Sequence, residues 1–413
     1  MRSNYKKLGS YIQQVSIKNK ELVISNLLGV SITKEFIPSI ANTVGTDMSK
    51  YKIVQKGQFA YGPVTSRNGD KISVALLEDD SAIVSTSYTV FEIIDKNELL
   101  PEYLMMWFRR EEFDRYARYM SHGSTREVFG WEEMCDVELP IPSIEKQREI
   151  VAEYYAITNR IKLNEQLNQK LEETAQAIYK EWFVDFEFPD ENGKPYKSNG
   201  GEMVWCEELE KEIPKGWVSI TLGDVLEEKG YIRGPFGSSL KKEDMVLEGT
   251  PVYEQQHAIY GHRNFRYFIN REKYKNLKRF TVKSNDMIIS CSGTLGRISM
   301  IQDNEPIGII NQALLILRVN ESKITPIIFK YFLLSDYGQN SLVENSTGSA
   351  QVNIAKREII QAIQLVLPPQ EKLIIINEQL STLDKNVMQT IKEIEILEKL
   401  KEVLLSKMAT VEG

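Results

Sequence analysis

The 413-residue sequence is poor in the residues that usually carry metal and redox chemistry. Its three cysteines, Cys135, Cys206 and Cys291, are too far apart for a paired zinc or disulfide pattern. Its three histidines, His122, His257 and His262, are isolated, and lone histidines are ordinarily structural or surface groups. No run approaches the roughly 18 apolar residues that a membrane-spanning helix needs. The amino-terminal MRSNYKKLGSYIQQ has no apolar core of signal-peptide type. A cytoplasmic chain with no membrane partner is expected. Catalytic fingerprints are also missing: there is no Gly-x-Gly-x-x-Gly after a strand, no Walker loop, no His-Glu-x-x-His, no Asn/Asp-Pro-Pro-Tyr and no spaced Ser/His/Asp set. No catalytic residue and no metal site is expected.

What is present is one long helix written twice. The first copy opens at PSIEKQREIV (142–151) and runs to about Phe183; the second opens at PPQEKLIIIN (368–377) and runs to about Ala409. A gapless shift of 226 residues superposes Pro142 on Pro368, Glu145 on Glu371 and Lys146 on Lys372. Alternating steps of four and three pick out Ile150, Tyr154, Ile157, Ile161, Asn164, Asn168, Leu171, Ala175, Ile178 and Trp182 in the first copy. The matching steps in the second are Ile376, Leu380, Leu383, Val387, Thr390, Ile394, Leu397, Lys401, Leu404 and Met408. A mean spacing of 3.5 residues makes a narrow apolar seam, the pattern of helices that coil around one another. Glu145 and Glu371 fall in the first turns, where a carboxylate opposes the helix dipole. Antiparallel pairing sets Ile150 opposite Met408, Trp182 opposite Ile376 and Asn168 opposite Thr390, a polar pair that fixes register at a cost in stability. Forty helical residues make a rod of about 60 Å.

The remaining sequence divides around these helices. Residues 1–142 read as a mixed α/β domain with β-branched runs at Lys71–Leu77 and Ala82–Ile94 and a helix from Pro101 to about Met120. The aromatics of that helix are expected in the core. Residues 143–186 are the first long helix, and 187–216 form an acidic, Gly/Pro-punctuated connector. Residues 217–367 are a second α/β domain, and 368–413 the second long helix. The two domains echo each other: KGQFAYG (56–62) resembles SNDMIIS (284–290), and a helix at Pro326 matches the one at Pro101. A turn at Gly123–Arg126 (GSTR) matches one at Gly348–Gln351 (GSAQ).

Net charge is −7, but it is unevenly placed: ten basic against sixteen acidic residues in 143–216, and eighteen against fifteen in 217–367. His257–Lys283 holds eight cations and one acid, interleaved with six Tyr and Phe residues, a composition suited to a phosphate backbone. RGPFGSSLKK (233–242) and the loop from Tyr61 to Asn68 add flexible glycines, hydroxyls and cations. The DNA contacts expected from residue type are Tyr61, Thr65, Ser66, Arg67, Asn68, Arg115, Arg118 and Arg126 in the first domain. In the second they are Arg233, Ser238, Ser239, Lys241, Lys242, Arg263, Arg266, Lys273, Arg279 and Arg297.

In this order and with this duplication, LPIPSIEKQREIV, AIYKEWFVDFEFP, IPKGW, RGPFGSSLK and LPPQEK resemble the specificity subunit of type I restriction-modification systems over essentially the whole chain. The resemblance implies a non-catalytic subunit with two mixed α/β target-recognition domains, joined by two long antiparallel coiled-coil helices with an internal pseudo-two-fold repeat. Each domain would read half of a split, asymmetric double-stranded DNA sequence, with the helices as a ruler between the halves. The helices would also dock two DNA adenine methyltransferase subunits that use S-adenosylmethionine, and through them restriction translocase-nuclease subunits that use ATP and Mg. This chain itself would bind no cofactor. The residues alone leave two alternatives open, a coiled-coil adaptor joining two protein-binding domains and a stand-alone DNA-modifying enzyme.

Overall fold

A computed structural model describes residues 5–39, 45–66, 68–123, 126–344 and 353–411. The chain divides into two compact units, residues 1–162 with 396–413, and residues 163–395. Each long helix therefore contributes to both units.

The first unit is built on a four-stranded antiparallel sheet of Ile12–Val15 (β1), Phe59–Tyr61 (β2), Val74–Leu76 (β3) and Thr89–Ile93 (β4), in the order β1-β4-β2-β3. The β-branched run Ala82–Ile94 breaks at a turn in which Tyr88 N–H donates to Ser85 O; Ala82–Val84 pairs elsewhere, with Lys52–Val54. Phe59, Tyr61 and Phe91 pack with Phe108 and Phe113 in the core under the sheet.

The helix expected from Pro101 to Met120 is two helices, Pro101–Phe108 (α1) and Glu111–Met120 (α2). Arg110 is extended, at ψ 141°. The break is held by Lys34, at φ +67°, whose Nζ donates to Phe108 O and Asp114 Oδ1, both at 2.6 Å. This buried ammonium satisfies a carbonyl that the helix end leaves without a partner. The aromatic residues sort as expected except at the end: Trp107, Phe108 and Phe113 are buried, and Tyr119 is exposed.

The first long helix spans Ile144–Phe183 (α3). Its first turn is anchored by the fully buried Gln147, which donates to the carbonyls of Glu98 and Pro142 and accepts from Leu100 N–H. Residues 187–216, expected as a connector, are tied to the core of the second unit at Phe188, Cys206 and Ile213, while 191–195 and 197–200 are exposed. Phe188 stacks on Trp217 at 5.0 Å and on Tyr196 at 4.6 Å, and Met203–Cys206 pairs with Lys211–Pro214 as a hairpin. Aromatic burial outweighs the polar composition here: Tyr179, Trp182, Phe183, Phe186, Phe188 and Trp217 share one core.

The second unit repeats the sheet. Leu226–Arg233 (β5), Met287–Ser290 (β6), Ile298–Met300 (β7) and Leu314–Val319 (β8) lie in the order β5-β8-β6-β7, the same as in the first. Between β5 and β6 come the short helices Gln255–Tyr260 (α4) and Arg271–Leu277 (α5). Pro326–Leu334 (α6) and Asp336–Leu342 (α7) repeat the broken helix. Here the break is made by Ser335, whose Oγ accepts from Gly338 N–H at 3.1 Å. A Cβ at Gly338 would lie 2.1 Å from Phe332 O, so the turn requires glycine.

The second long helix spans Gln370–Lys407 (α8). Along α3 and α8 the seam residues Ile150, Ile161, Ile376 and Val387 are buried, as is Met408 in the turn just after α8. Ile157, Asn168, Leu171, Leu383, Thr390 and Leu397 are half-buried. Thr390 donates its hydroxyl to Asn168 Oδ1. Beside them a buried ion pair joins Lys330 of α6 to Asp384 of α8. Among the described residues no helix is long and apolar enough to cross a membrane, and no cluster of three or more His, Cys, Asp or Glu could hold a metal.

Candidate nucleic-acid interface

Antiparallel register gathers the loops of each sheet at one end. In the second unit Ser290 pairs with Leu314, Arg233 with Leu315 and Ile289 with Ile298. The stretch Arg233–Lys242, the loop Cys291–Arg297 and the turn Asn311–Ala313 therefore leave the same edge. Their close approach depends on Gly234: its N–H donates to Leu314 O at 3.0 Å, and a Cβ there would sit 1.9 Å from Asn311 O. In the first unit Tyr61 pairs with Thr89 and Val74, and Val15 with Val90. This places the chain that leaves Tyr61, the chain that enters Val74, the turn at Ser85–Tyr88 and the chain after Val15 at the corresponding edge.

Four of the expected DNA contacts in the first unit are engaged within the protein itself. Tyr61 is a core residue, fully buried, and burial pushes its phenol up. Thr65 is buried, its hydroxyl bonded to Ser121 Oγ and Glu127 O, so it shapes the loop from within. Arg115 pairs with Glu111 and Glu112, and Arg118 with Glu127. Ser66 and Arg126 are exposed, and Asn68 is half-exposed with Nδ2 toward Val64 O. Arg67, Ser124 and Thr125 lie outside the described residues, as does the Gly348–Gln351 turn.

In the second unit Lys241, Lys242, Ser239 and Arg297 are exposed, and Arg233 is half-buried. The Ser238 side chain lies outside the description. The basic window His257–Lys283 is less free than its composition. Arg263, with only 11% of its side chain exposed, binds Glu305 at 2.5 Å, the carbonyls of His257, Gly261, His262 and Met300, and Ser299 Oγ. Its guanidinium is engaged by the protein's own acceptors. Arg266 forks onto Glu254 at 2.9 Å, and Lys273 pairs with Asp244 at 2.9 Å. All three acids lie outside the window, so a local count of charge missed them.

Free cations remain. Arg271, Lys275, Lys278, Arg279 and Lys283 are exposed and make no ion pair among the described residues. Arg271 and Lys275 are one turn apart on α5 and lead into Lys278 and Arg279, while Leu277 turns inward to the core. Arg279 also lies over the Phe280 ring at 4.4 Å. Of the histidines, His257 is buried: Nδ1 accepts from Glu254 N–H, and Nε2 faces Asn264 O at 3.0 Å, which places the proton on Nε2. Burial pushes its pKa down. Cys291 is free, and burial pushes its thiol up to about 11, away from reactivity.

Sequence reasoning passed over Arg271, Lys275 and Lys278 as individual contacts, and the loop Ser292–Arg297 almost entirely. The signal was there in SGTLGR, two glycines among hydroxyls and a cation, the same chemistry as RGPFGSS.

One mixed α/β domain used twice, with dissimilar polar loops at equivalent sheet edges and two paired helices through both units, defines a duplicated recognition module. Residues 11–173 and 214–402 match the type I restriction modification DNA specificity domain, and the chain belongs to that family. The family supplies DNA specificity to type I systems and is non-catalytic. The chain is 26% identical over 335 residues to the type I restriction enzyme MjaIX specificity subunit of Methanocaldococcus jannaschii, covering 79% of this chain and 72% of that protein. It is 33% identical over 138 residues to the HindI specificity subunit of Haemophilus influenzae, covering 33% of this chain and 30% of that one. The fold matches that of the type I restriction-modification S subunit from M. genitalium, with a TM-score of 0.56 at 16% identity over 99% of this chain and 96% of the other.

Proposed function

We propose that this chain binds a bipartite, asymmetric double-stranded DNA target, one half-site to each α/β domain, with α3 and α8 setting the unread gap. The observation that carries this reading is the identical strand order of the two sheets combined with unlike loops at their equivalent edges. A repeated frame with diverged loops suits two heads that read different sequences. The chain acts in the cytoplasm without a catalytic group or cofactor of its own. Its helices dock two DNA adenine methyltransferase subunits that use S-adenosylmethionine, and the assembly takes up restriction subunits that use ATP and Mg.

The test is co-expression with a DNA adenine methyltransferase subunit of a type I system from the same source and mapping of N6-methyladenine in plasmid DNA at single-base resolution. A split motif with a fixed gap is expected. An assembled complex that methylates nothing, or at random, overturns the reading. Seven residues inserted near Lys170 of α3 should change the gap and leave both half-sites intact; altered half-sites would refute the ruler.

A further inference from the structure

We infer that Gln255 reads an adenine in the half-site taken by the second domain, its amide aimed by the loop Ser292–Arg297; this rests on the DNA-recognition reading above. Gln255 is the first residue of α4, half-buried at the sheet edge where the loops gather. Its Nε2 donates to Thr294 O at 3.4 Å, and its Oε1 accepts from Ser292 Oγ at 3.2 Å. A carbonyl only accepts, so the contact with Thr294 O fixes which end of the amide carries nitrogen.

The loop that holds the amide is itself held from below. Ser290, the last residue of β6, is fully buried; its hydroxyl donates to Thr294 O at 2.6 Å and accepts from Arg297 N–H at 3.0 Å. Gly296 N–H donates to Ser290 O at 2.9 Å. Gly293, at φ +62°, lets the loop pass close: a Cβ there would stand 3.2 Å from Gln255 Nε2. The adjacent Gln256 turns its amide nitrogen to the Glu254 carboxylate and makes no bond to this loop among the described residues.

The amide inventory then selects the ligand. A glutamine side chain has two N–H donors and two acceptor lone pairs. One of each is used by Thr294 and Ser292, and one of each remains. A donor paired with an acceptor is what adenine presents a partner for in the major groove, through N7 and the N6 amino group. Guanine offers two acceptors there and would leave the amide oxygen unpaired. Arg297, exposed and without an ion pair among the described residues, follows directly and suits the neighbouring phosphate.

The experiment enriches randomised double-stranded oligonucleotides on the full chain assembled with its methyltransferase subunit, comparing wild type with Gln255→Glu and Gln255→Met. Thermal melting of each assembly serves as the folding control. Wild type should enrich two half-sites. Gln255→Met should lose an adenine preference of about 10- to 100-fold at one position of one half-site, with the other half-site and the gap unchanged. Gln255→Glu, an acceptor only, should shift that position toward cytosine. Wild-type base preferences at every position in variants that melt normally would overturn the inference and leave the proposed function standing. If wild type enriches no sequence, both fail.

Discussion

Replacing Arg263 with methionine should damage the fold rather than the DNA contact. The guanidinium is enclosed by five oxygen acceptors besides the Glu305 carboxylate, and the side chains of Arg263 and Glu305 are 11% and 9% exposed. Removing one partner of a buried, hydrogen-bonded pair typically costs about 3–5 kcal/mol, because the other charge stays buried without compensation. For a unit of this size that corresponds to about 6–20 °C in Tm. The carboxylate makes the loss pH-dependent. Glu305 already sits above its ordinary pKa, chiefly through burial, with Arg263 pulling it back down. Without Arg263 the rise grows. An acid whose folded pKa is raised destabilises the folded state above that pKa, and the penalty fades as pH falls toward the unfolded value. The deficit of Arg263→Met relative to wild type should therefore be largest at pH 7–8 and shrink toward pH 5, by about 1.4 kcal/mol per unit of additional pKa rise. Adding Glu305→Gln should recover part of the loss at neutral pH. Urea unfolding at pH 5 and pH 8 measures both effects. A variant that melts like wild type while the salt slope of DNA binding falls by about 0.9 would refute the reasoning and return Arg263 to the phosphate ligands.

Two further outcomes are expected from the same geometry. Replacing Asn168 and Thr390 together with leucine removes a polar pair from an apolar seam and should stabilise the chain by up to about 1 kcal/mol in urea unfolding while widening spin-label distances between α3 and α8; a less stable double variant, or unbroadened distances, would count against a register role. Changing Lys275, Lys278 and Arg279 to glutamine should lower the slope of log Kd against log salt by about 0.9 for each phosphate no longer neutralised and leave base preference intact. An unchanged slope would mean that this surface faces something other than DNA.

The long helices were legible because their signal is local: a 3.5-residue period and a Pro-x-x-Glu-Lys start need only neighbouring residues. The breaks in the shorter helices were not. Nothing at Arg109–Arg110 announces a stop, since the group that stabilises it is Lys34, on a hairpin far upstream. In the basic window the same limit runs in reverse. Its cations are visible locally, but Asp244, Glu254 and Glu305 reach them only in the folded chain. The aromatic string from Tyr179 to Trp217 was recognised as a motif, yet its polar neighbours suggested a connector; burial of six large side chains in one core outweighs them. Gln255 carries no sequence signal, because its partners stand 37 and 39 residues away.

The duplication reaches the backbone more faithfully than the side chains. Both units break the same helix at the same place, one with a buried lysine pinned to Phe108 O and Asp114, the other with Ser335 and an obligatory glycine at 338. Both anchor the start of a long helix, one through Gln147 and its three backbone partners, the other through the apolar Leu373, 226 residues on. Two chemistries that satisfy one geometry leave the frame fixed while the side chains within it drift. The sheet-edge loops are tied to that frame at few points, such as Gly234 against Asn311 and Ser290 beneath Thr294. The loops between those points carry unlike donors and acceptors, GPVTS before Arg67 in one unit and SGTLGR in the other. The two half-sites should therefore differ in sequence, and exchanging 62–73 for 291–297 should alter the half-site read by the receiving domain alone.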